Sequence, residues 1–227
     1  MKQTMQTEDA QIFISANEGK NVPFVLVSTE GKEAQELFDV LCSVCDRDFV
    51  LICVPVDDWN GDLSPWPCEP VFKGGKAFAG KADAHLSKIL NGILPLIEEE
   101  LNRKGIQASC HAIAGYSLAG LFALYALYRT DRFDKAVCAS ASLWYPGLLA
   151  YTREHTISSN VKQIYFSLGD QESHTKNKLM ASVGEMTRTI SDELGKDLNV
   201  FYEMNEGNHF KDPERRLAKG IAHILNN

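Results

Sequence analysis

Apolar residues along the chain fall into two alternating kinds of run. Residues 49–56 (FVLICVPV) and 161–168 (VKQIYFSL) are apolar stretches of the kind that forms strands buried on both faces. Pro55 marks where the first of these leaves its ladder. Residues 11–16 and 22–28 read as two more strands joined by turn-rich residues 17–21, with Pro23 tolerated near a strand's start. Residues 135–140 and 199–204 read the same way. Between these the spacing turns helical. Residues 32–45 place Ala34, Leu37, Phe38, Leu41, Cys42 and Cys45 on one face. Residues 82–104 do so with Leu86, Ile89, Ile93, Ile97 and Leu101, stop at Gly105, and kink or break at Pro95. Residues 176–194 and 213–225 complete the helices. This alternation, without repeat or linker, predicts one α/β domain over residues 1–227 with a mostly parallel sheet flanked by helices.

Residues 57–80 break the pattern. They hold three prolines, four glycines and two of the three tryptophans, with no periodicity. A long irregular segment in a compact domain is usually functional. Its composition suits a wall or lid over a pocket, or equally an ordered loop capping the sheet.

Composition narrows the function. A net charge of -7 argues against binding a phosphate backbone, which needs a basic face. No stretch is apolar enough for long enough to span a membrane, and the polar start MKQTMQTEDAQ lacks the apolar core of a signal peptide. A cytoplasmic location is expected. The six cysteines then read as small buried hydrophobes. Cys42 and Cys45 have redox or zinc spacing, but no second ligand pair lies at a suitable distance and they fall late in a helix.

The chemistry concentrates at residues 110–125 (CHAIAGYSLAGLFALY), where an apolar run passes through Gly115-Tyr116-Ser117-Leu118-Ala119-Gly120 straight into a helix. A sharp strand-to-helix turn at a serine flanked by small residues is a nucleophile elbow, here G-x-S-x-A-G with Ala119 in the last small position. On these residues alone, a buried serine at a close helix–strand crossing is the competing reading. An activated serine needs a base, and the base an orienting acid, in the chain order Ser, acid, His. His209, between the last strand and the last helix, stands where the base belongs; His155, His174 and His223 are the alternatives after Ser117. The strand ending at Leu168 runs into Gly169-Asp170-Gln171-Glu172. The end of that G-x-x-D/E turn selects Glu172 as acid, with Asp170 as fallback or as a turn residue bonding the backbone.

These features resemble the putative-esterase branch of the α/β-hydrolase superfamily, which includes esterase D-like and enterochelin esterase-like proteins. The resemblance rests on GYSLAGLFALY at 115–125, YFSLGDQE at 165–172 and GNHF at 207–210, with weaker support at 56–67 and 140–147. It implies Ser117 as nucleophile, His209 as base and Glu172 as acid. It also implies hydrolysis of small-molecule carboxylic esters without metal or organic cofactor. No separate cap domain is expected, so residues 57–80 and the surroundings of Trp144 would form the pocket. Trp59, Trp66, Trp144 and Tyr116 are the wall candidates, with plain packing an equal alternative for each tryptophan. Leu118 N–H is the expected first oxyanion donor, and Thr29 or Glu30 the second, although the sequence there is not the usual Gly-rich one.

Rival readings remain at this stage. A thioesterase, acyltransferase or peptidase would use the same three residues. A non-catalytic binding protein on the same fold and a redox protein using Cys42 and Cys45 come from other classes. No nucleic-acid or membrane partner is expected, and the oligomeric state is open, with a homodimer one option.

Overall fold

The computed structural model describes residues 2–17 and 19–227. Glu18, in the expected turn over residues 17–21, and Met1, in the expected domain over residues 1–227, lie outside the described residues. In chain order the elements begin β1 (Lys2–Gln6), β2 (Gln11–Ser15), β3 (Asn21–Thr29), α1 (Ala34–Val44) and β4 (Phe49–Pro55). Next come α2 (Trp59–Asp62), β5 (Pro67–Cys68), β6 (Phe78–Ala79), α3 (Ala82–Lys88), a π-helical turn at Ile89–Ile93 and α4 (Leu94–Arg103). The second half is β7 (Gln107–Tyr116), α5 (Leu118–Ala126), β8 (Lys135–Ala139), α6 (Leu148–Glu154) and β9 (Gln163–Gly169). It ends with α7 (Lys178–Ala181), α8 (Val183–Leu194), β10 (Asn199–Asn205) and α9 (Pro213–Asn226).

Eight strands form one sheet in the order β1-β2-β4-β3-β7-β8-β9-β10. From β4 to β10 all neighbours are parallel, and β2 and β1 add an antiparallel edge. The period-2 alternation of strand side chains divides the core. Tyr165 on β9 joins Val25, Leu51 and Ala112 under α1 and α9. Its neighbours Ile164 and Phe166 join Leu26, Ile52 and Ile113 under the helices of the opposite layer. That two-sided burial is why these strands read as unbroken apolar runs.

The helix over residues 82–104 is broken into α3 and α4, with Pro95 in the first turn of α4. Between them lies the π-helical turn. Other expectations are corrected. The helix over residues 176–194 is two helices meeting at Ser182. Residues 57–80 are not structureless: α2 and the β5–β6 ladder lie within them. Strand β1 and helix α6 have no counterpart in the reading of the sequence.

Candidate active site

Strand β7 lies mid-sheet between β3 and β8 and delivers Ser117 at its end. Ser117 takes φ 58 and ψ -121, a conformation unfavourable for a side-chain-bearing residue. The small neighbours are a steric requirement. A Cβ on Gly115 would stand 2.1 Å from the carbonyl oxygen of Ala119, and one on Gly120 would stand 2.8 Å from the Cβ of Ala141. Ala119 is itself buried, and its methyl is accommodated in the turn.

The partners of Ser117 arrive from beyond the ends of the last two strands of the sheet, β9 and β10. Asn205 at the end of β10 pairs with Gly169 at the end of β9, so the loops beyond them leave the sheet side by side. Nε2 of His209 lies 3.0 Å from Ser117 Oγ. Nδ1 of His209 lies 2.7 Å from Glu172 Oε2, and since a carboxylate only accepts, Nδ1 carries the proton and Nε2 faces the serine as acceptor. Asp170 plays no part in this chain of bonds. Its Oδ1 accepts from the N–H of Gly207, which ties the Glu172 turn to the His209 loop.

Glu172 is almost wholly buried, and its second oxygen is saturated. Oε1 accepts from Ser140 Oγ at 2.7 Å, from the N–H of Gly169 at 2.7 Å and from Arg216 Nη1 at 3.1 Å. Burial pushes this carboxyl up, but the hydrogen bonds from His209, Ser140 and Gly169 outweigh it and hold the group below the usual range. Arg216 is also buried and donates through Nη2 to the carbonyl of Glu206 at 2.8 Å. Tyr116 OH donates to the carbonyl of His209 at 2.6 Å. The imidazole is therefore held from both ends, by its ring and by its own backbone.

Arg216, Ser140 and Ser142 were not singled out from the sequence. A signal existed for the arginine: it shares the helical spacing of buried Gly220 and Ile224, and a charge on an apolar stripe needs a partner. Ser140, at φ 43, follows the end of β8, and Ser142 Oγ lies 3.5 Å from Ser117 Oγ. The other histidines are elsewhere. His155 stacks on Tyr151 and His223 on Phe201, while the N–H of His174 bonds the carbonyl of Gln171. Cys42 and Cys45 sit at the C-terminal end of α1, where the helix dipole opposes a thiolate, and burial pushes the Cys45 thiol up.

Ser117 opens onto a small cavity of about 90 Å³ beside Ser140, Ser142 and Glu172, and onto two larger, unequal ones that share Trp59 in their walls. The larger of these two, about 390 Å³, is bounded by Tyr116, Phe210, Leu37 and Leu217, with Glu30, Glu33 and Glu214 and no lysine or arginine in its lining. The smaller of the two, about 260 Å³, is bounded by Phe72, Phe78, Trp144 and Met180. Trp66 is the wall candidate that the structure places elsewhere. Its Nε1 donates to the carbonyl of Pro146 and its ring packs among Tyr125, Tyr145 and Tyr151, away from both cavities. Leu118 opens α5, where the helix ladder offers its N–H no partner. Thr29 and Glu30 line the larger cavity. The N–H of Glu30 donates to Oε1 of Glu33 at 2.6 Å. Among the described residues no cluster of His, Cys, Asp or Glu is arranged to hold a metal ion, and no helix is long and apolar enough to cross a membrane.

Known proteins share this architecture. The chain is 24% identical over 148 residues, 65% of its length, to the uncharacterized protein YbbA of Bacillus subtilis, and the match spans 59% of YbbA. Siderophore hydrolase EstA from Aspergillus nidulans superposes with a TM-score of 0.76 at 21% identity, over 100% of this chain and 94% of EstA. An IroE-like serine hydrolase from Shewanella oneidensis gives 0.75 at 19% identity, over 100% of this chain and 80% of its own. At these identities the superpositions establish the fold alone. The model of the putative esterase family matches residues 29–211, a span running from the end of β3 through the elbow, Glu172 and His209. The chain belongs to the putative esterase family.

Proposed function

We propose that the chain hydrolyses small-molecule carboxylic esters through an acyl-enzyme on Ser117, with His209 as general base and Glu172 as the acid that orients it. The observation that carries this reading is the unbroken chain from Ser117 Oγ through His209 to Glu172, built on the strained turn at the end of β7.

Ser117 Oγ bonds to the ester carbonyl carbon while its proton passes to Nε2 of His209. The tetrahedral intermediate collapses, the bond to the alcohol oxygen breaks, and His209 returns the proton to that oxygen. Water then repeats the sequence on the acyl-enzyme and releases the acid. Glu172 stays ionised throughout, holding the Nδ1–H tautomer and offsetting the charge of the imidazolium. Leu118 N–H is the first oxyanion donor and the Thr29–Glu30 backbone the second. One such donor is worth about 3–4 kcal/mol of transition-state stabilisation. The six free cysteines support the expected cytoplasmic location.

Turnover of p-nitrophenyl esters of increasing acyl length, with siderophore esters added because EstA is described as a siderophore hydrolase, tests the reading. Hydrolysis in the native chain and its loss in His209→Ala are expected. Turnover of thioesters or peptides with none of esters would replace the reaction class and keep the residues.

A further inference from the structure

The register of the sheet locates the second oxyanion donor and exposes a conflict there. Val27 on β3 stands beside Ala114 on β7, and continuing that register by three residues brings Glu30 level with Ser117. The backbone beyond β3 is thus where a carbonyl oxygen attacked by Ser117 would point. Yet the Glu30 N–H already has an acceptor, the Oε1 of Glu33, at 2.6 Å. Glu33 precedes the first turn of α1, and its side chain does not cap that helix. The carboxylate makes no ion pair among the described residues and lines the same cavity as Ser117 and His209. A full negative charge on this donor opposes the build-up of negative charge on a substrate oxygen beside it.

We infer that Glu33 gates the oxyanion site and makes the enzyme selective for esters that carry a cation on the β3 side of Ser117. This inference rests on Ser117 being the nucleophile. An ammonium or guanidinium group entering the larger cavity draws the Glu33 carboxylate off the Glu30 N–H, and the freed donor turns to the carbonyl oxygen. The surroundings fit such a group. Trp59, Tyr116 and Phe210 give aromatic faces that attract cations, Glu214 adds a second carboxylate, and no basic residue lines the cavity to repel them. An uncharged ester of the same shape leaves the gate closed and reacts on the Leu118 donor alone. An anionic ester meets three carboxylates and is turned over slowest.

Two matched ester pairs test this, one with the cation in the alcohol half and one with it in the acyl half. In the first, acetylcholine is set against 3,3-dimethylbutyl acetate, in which a tert-butyl group replaces trimethylammonium; in the second, trimethylammoniobutanoate p-nitrophenyl ester is set against its tert-butyl counterpart. For the native chain, kcat/KM is expected to favour the cation in at least one pair by roughly tenfold, the ratio that 1.4 kcal/mol produces. In Glu33→Ala the uncharged ester is expected to gain about fivefold or more in kcat, and the preference to fall to within about twofold. Glu33→Gln, whose amide oxygen still accepts from Glu30, is expected to lose the preference while gaining less on the uncharged ester. Glu36→Gln on the outer face of α1 removes the same charge outside the cavity and serves as the control. Equal native rates within both pairs, or a Glu33→Ala variant that slows both esters together, would overturn the inference and leave Glu33 a loop-holding residue. Fluorophosphonate labelling of Ser117 is followed in every variant: normal labelling with no charge discrimination removes only the gate, whereas no labelling of the folded native chain removes the esterase reading and the gate together.

Discussion

The two flanks of Ser117 are built on opposite principles. On the β9–β10 side, Glu172, Arg216 and Ser140 are buried, and Glu172 Oε1 alone accepts from three donors. On the β3 side, Glu30 is exposed and Glu33 half-buried, and the Glu30 N–H donates to the Glu33 carboxylate. A saturated buried network resists rearrangement because every move leaves a charge without a partner. A half-exposed carboxylate on one backbone N–H moves at little cost. In the proposed mechanism proton handling falls to the rigid flank, and in the inferred gate substrate discrimination falls to the adjustable one.

The largest effect that would sharpen this contrast is at the shared centre. Ser117→Ala is expected to lower ester turnover by roughly 10⁴- to 10⁶-fold. Thermal melting should barely move, or rise slightly as the strained turn loses its reactive side chain. On the rigid flank, Glu172→Gln is expected to cost about 10²- to 10⁴-fold in kcat, read in the same assay. It should also cost about 3–5 kcal/mol in denaturant unfolding, because Arg216 is left buried without its counter-ion. Arg216→Met should destabilise by a similar amount with the smaller kcat loss of a positioning residue. Asp170→Asn, which touches only the loop tie, should cost about 1 kcal/mol and leave kcat within roughly threefold. If Asp170→Asn proves the more damaging to kcat, the acid has been misassigned.

The pH dependence of stability separates the flanks further. The Glu172 carboxyl lies below its ordinary range in the folded chain, so the unfolded chain binds its proton first as pH falls. Its contribution is fully present above the unfolded value of about 4.3 and is lost as pH drops through the folded one. Native chain and Glu172→Gln should therefore differ most in unfolding free energy at neutral pH and converge in acid. Divergence in acid would contradict the bonding described for Glu172. The smallest effect expected is from Trp59→Ala, which removes a wall the two larger cavities share and should raise KM for bulky esters several-fold with kcat nearly unchanged.

Sequence pattern carried the rigid flank better than the adjustable one, for physical reasons. The elbow was legible because its geometry admits only small residues at 115 and 120, so the constraint is written in residue identity. The placement of Glu172 and His209 beside Ser117 was legible because strand ends deliver them in a fixed order. Which of Glu172 and Asp170 bonds His209 is not written in the sequence, since two carboxylates two residues apart in one turn point in different directions. Arg216 was hidden inside a charged cluster at the start of α9, although its helical phase matched the buried stripe. Strand β1, with its polar alternating sequence at a sheet edge, and the seven-residue α6 carry too little apolar periodicity to announce themselves. Trp66 shows the limit of composition: an aromatic in a pocket-forming segment still chose a cluster of tyrosines. The Glu30–Glu33 contact has no sequence signature at all, because a side chain returning to a backbone three residues back depends on the turn between them.

The measurement that most directly tests the central claim is the site and rate of fluorophosphonate modification, read by intact mass and peptide mapping. It would be made on the native chain and on Ser117→Ala, His209→Ala, Glu172→Gln and Asp170→Asn. The account predicts one adduct per native chain on Ser117, none in Ser117→Ala, rates that collapse in His209→Ala and Glu172→Gln, and a near-native rate in Asp170→Asn. A folded native chain that stays unmodified, or one modified at another residue with Ser117 untouched, would contradict it.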